Sequence, residues 1–231
     1  MADTGRMVTL GVDACKTGWV AVELTDGVFT GARFSDELRA LLDATPRAEV
    51  VAVDMPLGLL DEGWRQADTE AKDRLGPRAN SVFRVPPRGV WLETDYEAAN
   101  LRCRQLTGSG LSRQTWGLTT KLKAAGACLK DEEGRLFEVH PEVSFWAMNG
   151  EAPLPHRKTS WAGQTARRAL LRESGIVLPD DLGAAGQAAP DDVLDAAAAA
   201  WSAHRIALKR ATCLPDPPQP GHNGWPNAIW Y

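Results

Sequence analysis

Two short apolar runs, each stopping on an aspartate, constrain this chain more than any other feature. One is Val8 to Asp13 and the other is Val50 to Asp54. Val50-Val51-Ala52-Val53 is continuously apolar and rich in β-branched residues, which predicts a strand covered on both faces, as in sheets that carry helices on each side. Between the two runs, a Lys16-Thr17-Gly18 turn leads into Trp19 to Leu24, whose alternation predicts a second strand and a hairpin. Asp26-Gly27 is a tight-turn signal, and Val28, Phe29 and Phe34 beyond it predict a third antiparallel strand. The Leu38, Leu41, Leu42 stripe predicts a first helix, which Pro46 ends. The order βββαβ places the chain in the α/β class.

From Pro56 to about Lys130 the texture changes, with Pro56, Pro77, Pro86, Pro87 and several glycines breaking up short helical stretches. We read 56–130 as a mostly helical and loop insertion after the fourth strand, forming a cap within a single domain spanning 1–231. Residues 61–130 hold 12 Lys/Arg against 8 Asp/Glu, a net +4; with the chain at -4 overall, the remainder carries -8. The cap is thus the basic part. Beyond it, Leu136 to Val139 reads as a fifth strand and Thr165 to Ser174 as an amphipathic helix. Asp192 to Ala211 reads as a helix whose Ala196 to Ala200 run permits close packing. After Pro215 the tail is loop-like, with Ile229, Trp230 and Tyr231 adding an edge strand.

The composition is that of an ordinary globular chain: 231 residues, 44% hydrophobic and 24% charged. Lys+Arg 26 against Asp+Glu 30 lacks the overall basic field of a nucleic-acid coat or membrane-surface protein. No apolar run approaches the ~20 residues that span a bilayer, and Met1 to Met7 is too short and polar for a secretory leader. A cytoplasmic protein with no membrane partner is the expectation. Cys15, Cys103, Cys128 and Cys213 form no C-x-x-C pair, so buried free thiols are expected rather than a zinc knuckle or a disulfide framework.

In open α/β sheets ligands bind outside the carboxyl ends of the strands, so acids ending two core strands converge on one crevice. Asp13 and Asp54 are such acids, although each alone would suit a turn or a helix cap. Asp192 and Asp195, spaced i,i+3, place their carboxylates on one helix face about 60° apart. Asp191 and Asp192 suit the helix start, whereas Asp195 lies too deep for a cap. Carboxylates forced together repel unless a cation neutralises them, and an oxygen-only set suits Mg²⁺ or Mn²⁺. Glu138, His140 and Glu142 alternate, so a strand through them would project all three to one side, with Glu138 the better ligand candidate.

The strings Gly11-Val12-Asp13-Ala14-Cys15-Lys16-Thr17-Gly18-Trp19-Val20, Val53-Asp54-Met55-Pro56-Leu57-Gly58, Arg78-Ala79-Asn80-Ser81-Val82-Phe83 and Phe137-Glu138-Val139-His140-Pro141-Glu142-Val143-Ser144-Phe145 resemble the DUF429 family over nearly the whole chain. The order βββαβ, the acids on the first and fourth strands and a late D-x-x-D-A helix are similar to the ribonuclease H-like superfamily of nucleases. This implies a mixed five-stranded sheet flanked by helices. Within the superfamily the nearer parallel is the Holliday-junction resolvase branch, whose acids fall where Asp13, Asp54, Asp192 and Asp195 stand. Leu136 to Val143, Lys158 and the Arg167-Arg168 helix resemble that branch's fifth strand, basic loop and helix. The branch usually has Glu on the fourth strand, where this chain has the shorter Asp54, and the long basic cap has no clear match in it.

The resemblance implies a metal-dependent nuclease hydrolysing DNA or RNA with two Mg²⁺ or Mn²⁺ ions. Asp13 would bridge both, Asp54 would bind one, Asp195 with Asp192 the other, and Glu138 would be a further ligand. Lys158 would offset charge on the phosphate. Arg74, Arg78, Arg84 and Arg88 of the cap are candidates to position phosphates or else solvated surface charges, Phe83 and Trp116 are expected to pack in the core rather than stack on bases, and Gln114 and Lys121 are candidates to close over substrate. Two other readings compete. One is a non-catalytic member of the fold that binds a nucleotide, nucleic acid or protein. The other is an actin-like phosphotransferase, which normally duplicates this core and would need more chain than 231 residues.

Overall fold

A computed structural model describes residues 5–231. Residues 1–4, part of the Met1 to Met7 stretch read as no secretory leader, lie outside the described residues. Strands β1 (Val8–Ala14), β2 (Trp19–Thr25) and β3 (Val28–Ser35) run antiparallel, and at the β2–β3 turn Asp26 and Gly27 both have positive φ, as a two-residue hairpin turn of this hand requires. Helix α1 (Leu38–Ala44) buries Leu38, Leu41 and Leu42 and leads into β4 (Ala48–Val53). Strand β4 pairs in parallel with β1 on one side and with β5 (Leu136–Glu138) on the other, giving the sheet order β3-β2-β1-β4-β5. This mixed five-stranded sheet with its βββαβ start is consistent with the ribonuclease H-like fold.

Between β4 and β5 the chain forms α2 (Gln66–Leu75), α3 (Arg88–Trp91), α4 (Tyr96–Thr107), α5 (Arg113–Trp116) and α6 (Thr119–Cys128), joined by loops. After β5 come α7 (Pro141–Met148), α8 (Trp161–Glu173) and α9 (Pro190–Ala207), then β6 (Cys213–Pro220) paired antiparallel with β7 (Pro226–Trp230). A single bridge from Val139 to Trp230 brings this ribbon to the open side of β5.

Four local expectations are corrected. The fifth strand, read as Leu136 to Val139, ends at Glu138; His140 precedes α7, and Pro141 occupies the first helical turn, where its missing N–H costs nothing. Glu138, His140 and Glu142 therefore share no strand face. The tail is a ribbon rather than a loop with one edge strand, since prolines at 215, 217, 218 and 220 concealed β6. Helix α8 starts four residues before Thr165, where Ser160 accepts a hydrogen bond from the Gly163 N–H and caps it. Helix α9 starts at Pro190 and stops at Ala207, short of Ala211.

The sheet divides the core. On one face, Leu10 and Val12 of β1 and Val51 and Val53 of β4 pack with the leucines of α1 and with Leu122 and Ala125 of α6. On the other, Val50 and Ala52 meet Ala199 and Ala203 of α9, while Val20, Val22 and Leu24 meet Ala196, Ala197 and Ala200 with Leu171 of α8. Strand side chains alternate, so Gly11, Asp13, Ala52 and the next residue of that parity, Asp54, belong to the α9 face. Cys15, Cys103, Cys128 and Cys213 are buried free thiols. Among the described residues, no helix is long and apolar enough to cross a membrane.

Candidate active site at the carboxyl ends of the central strands

Parallel pairing of β1 with β4 sets Val12 opposite Val53, and the Asp54 N–H donates to the Val12 carbonyl at 2.9 Å, so Asp13 and Asp54 emerge side by side. Asp13 is 4% exposed, and one of its oxygens accepts from the Ala14 N–H at 2.8 Å. Helix α9 delivers the third carboxylate. Because Gly11 and Ala196 to Ala200 present almost no side chain between helix and strand, α9 comes close enough to seat Asp195, 2% exposed, over this edge. Asp195 Oδ1 is buried and has no protein partner. Asp192 lies one turn earlier, at the half-buried start of the helix.

The electrostatics follow from burying like charges together. Burial pushes the Asp13 carboxyl well above its ordinary value, and Asp54 and Asp195 push it further, against the pull of Lys158. Asp195 is pushed up to about 7, first by burial, with Lys158 pulling the other way. Burial and Asp191 raise Asp192. Lys158, on the loop before α8, hydrogen-bonds Asp195 and lies 3.6 Å from Asp191. Burial would lower Lys158, but Asp195 outweighs it and holds the ammonium protonated, above the usual lysine range. The loop is fixed at its base: Ser160 Oγ donates to the Arg157 carbonyl at 2.7 Å, and the Arg167 guanidinium reaches the His156 carbonyl at 3.4 Å.

Glu138 ends β5 beside Val53 and also faces the crevice, but protein donors occupy its carboxylate. The buried Arg65 guanidinium donates to one oxygen and the Leu57 N–H to the other at 2.8 Å, while Arg65 Nε lies 3.4 Å from Asp68. Burial still raises Glu138, against Arg65. A second buried pair, Arg167 with Glu142, ties α8 to α7, and the Arg167 guanidinium also donates to the Gly163 carbonyl at 3.1 Å. Neither buried arginine could be told from a surface arginine by sequence pattern.

The crevice is a cavity of about 620 Å³. Asp13, Asp54, Asp195 and Glu138 face it from the core domain, Arg157, Lys158 and Thr159 from the loop, and Arg78, Phe83, Trp91 and Gln114 from the insertion. Of the eight insertion residues considered for substrate, Arg78, Phe83 and Gln114 reach it. Arg74 instead lies over the Trp146 ring, Arg84 over Trp64, and Lys121 over Trp19 with its ammonium donating to the Gly18 carbonyl at 2.6 Å. Arg88 opens α3 and does not border the cavity. Asn80 and Ser81, from the string Arg78 to Phe83, line it as well, and so do Arg157 and Thr159, which no motif announced.

In donor chemistry the aspartates fit a hard divalent ion: they are oxygen-only, mutually repelling, and one buried oxygen lacks a partner. Among the described residues, no three His, Cys, Asp or Glu side chains stand as a ready-made coordination group. Mg²⁺ tolerates that, since it keeps several waters and commonly takes only one or two carboxylates.

Residues 11–220 match a family described as "Protein of unknown function (DUF429)". No curated protein and no solved structure matches the chain.

Proposed function

The chain belongs to the DUF429 family, and we propose that it is a metal-dependent nuclease whose catalytic centre comprises Asp13, Asp54 and Asp195. One observation carries this reading: three carboxylates from β1, the end of β4 and α9 line one cavity and repel one another, and Lys158 is the cation that offsets this at both Asp13 and Asp195. A fold keeps so costly an arrangement where a ligand offsets it.

Asp13, Asp54 and Asp195 would hold Mg²⁺ or Mn²⁺, with Asp192 at the rim. The bound metal would supply an activated water and shield the phosphate charge. The protein's own groups do the rest. Lys158, protonated and held by Asp195 of α9, places a positive charge beside the carboxylates, where charge on a phosphate in transfer needs it. Arg78 and Arg157 border the same cavity and can hold the non-reacting phosphate oxygens, while Gln114 offers an amide. Val85, Leu118 and Leu122 add apolar surface to the cavity lining, which lowers its polarity and strengthens these interactions.

Labelled single-stranded, duplex and branched DNA and RNA, incubated with Mg²⁺ or Mn²⁺, test the reading. Metal-dependent cleavage is expected, and Asp13→Asn abolishes it. Protein whose melting temperature responds to the metal but which cuts none of these substrates would overturn the reading.

A further inference from the structure

We propose that the cavity accepts one nucleotide unit at a time: a phosphodiester whose phosphate lies at the aspartates and whose base rests on the ring of Phe83. This rests on the nuclease reading above and specifies its substrate. A volume of about 620 Å³ falls in the range that encloses a single small-molecule ligand. The insertion walls in the carboxyl ends of β1 and β4, since its Phe83, Trp91 and Leu122 line the same cavity as Asp13, Asp54 and Asp195.

One hydrogen bond ties the insertion to the loop before α8. The Arg78 guanidinium, from the insertion, donates to the His156 carbonyl of the loop that carries Lys158. A strand threaded between the insertion and that loop would have to break this tie, whereas a strand end or a dinucleotide would not.

Phe83 is the aromatic side chain free to meet a base. It is half-buried and borders the cavity, yet it joins none of the apolar clusters of the core. Trp116, by contrast, packs on the cluster formed by Val90, Ala99, Cys103 and Leu111. Phe83 also borders a neighbouring cavity of about 510 Å³ that carries Lys72 and Arg84, cations placed to meet the next phosphate of a longer strand. The reaction is a plain hydrolysis. A water oxygen bonds to phosphorus, the P–O ester bond breaks, and the water's proton ends on the leaving oxygen, giving a phosphomonoester and an alcohol.

The test offers four substrates with Mg²⁺ or Mn²⁺: a dinucleotide, an end-labelled linear single strand, the same strand closed into a circle, and a duplex plasmid. Mononucleotides released from the dinucleotide or the linear end, with the circle and plasmid intact, are the expected result. Trimming of the linear end alone identifies strand ends as the source of the unit, and cleavage of the dinucleotide alone identifies free small diesters. Phe83→Ala is expected to raise KM about 5- to 100-fold, given what one stacked base contributes, with kcat nearly unchanged, and Phe83→Trp to restore it. A circle cut as fast as the linear strand would overturn the inference and leave the nuclease standing. Failure to cut any of the four would remove both.

Discussion

Gly11 on β1 and Ala200 on α9 approach until nothing larger than hydrogen fits between them: a Cβ at position 11 would stand 1.9 Å from the Ala200 amide nitrogen and 2.2 Å from the Ala196 carbonyl oxygen. Both neighbours are backbone, so the helix itself would have to move. Asp195 rides on that helix and Asp13 lies two residues along that strand, so the same movement separates the two carboxylates. Gly11→Ala is expected to cost about 1–3 kcal/mol in urea denaturation, as over-packing does, and to reduce the rise in melting temperature that Mg²⁺ produces. Stability equal to the wild type would show that α9 has room to spare.

The buried aspartates set a pH dependence. A carboxyl whose folded pKa lies above its unfolded value binds its proton more tightly in the folded state. Its contribution to stability is complete below the unfolded value of 3.8 and is lost as pH rises through the folded value, about 7 for Asp195 and likewise raised for Asp13. Metal-free protein therefore loses stability from these groups between about pH 4 and 7. Asp13→Asn keeps the shape and an acceptor for the Ala14 N–H but carries no charge. Its melting temperature, metal-free, is expected to match the wild type near pH 4 and to exceed it by pH 8, by an amount equivalent to up to a few kcal/mol. Equal melting curves at pH 8 would show that Asp13 carries no unfavourable charge there.

Lys158 stands where a cation is wanted. Its bond to Asp195 offsets part of the repulsion while the metal is absent. Lys158→Met is expected to lower metal-free stability at pH 8 on the order of 1 kcal/mol, a modest amount because water screens a side chain more than a third exposed. The rise in melting temperature on adding Mg²⁺ should become larger than in the wild type, since the metal then meets uncompensated carboxylates. A smaller rise would mean that Lys158 helps hold the metal rather than standing in for it.

Much of this site was legible because it obeys short-range rules. Asp13 and Asp54 end apolar runs, the Ala196 to Ala200 stripe marks a helix able to approach a sheet, and the i,i+3 spacing puts Asp192 and Asp195 on one helix face. The parity that aims Asp13 past Gly11, and Asp54 past Ala52, toward α9 was also present in the sequence. What was illegible depends on partners distant in sequence. Arg65 engages Glu138 73 positions away, and Arg78 finds the His156 carbonyl 78 positions away. Local pattern gives each the look of a surface cation. The alternation at Glu138, His140 and Glu142 misled because Pro141 starts a helix there as readily as it ends a strand.

Arg65 is the protein cation that meets Glu138, the carboxylate that the sequence offers as a metal ligand. It is 1% exposed and lies between Glu138 and Asp68, and Asp68 in turn accepts from the Val85 N–H at 2.7 Å, so the cluster binds the start of the insertion to the end of β5. Removing the cation would strand two buried carboxylates, and breaking a buried pair from one side typically costs about 3–5 kcal/mol. Arg65→Met is expected to lose that much in chemical denaturation, as the insertion loses its anchor. Glu138→Gln leaves Arg65 with Asp68 and keeps an acceptor for the Leu57 N–H, so it should lose less. Its Mg²⁺-dependent rise in melting temperature should match the wild type, because the metal is assigned to Asp13, Asp54 and Asp195. Abolition of that rise by Glu138→Gln, in protein that still melts cooperatively, would instead return Glu138 to the metal's ligand set.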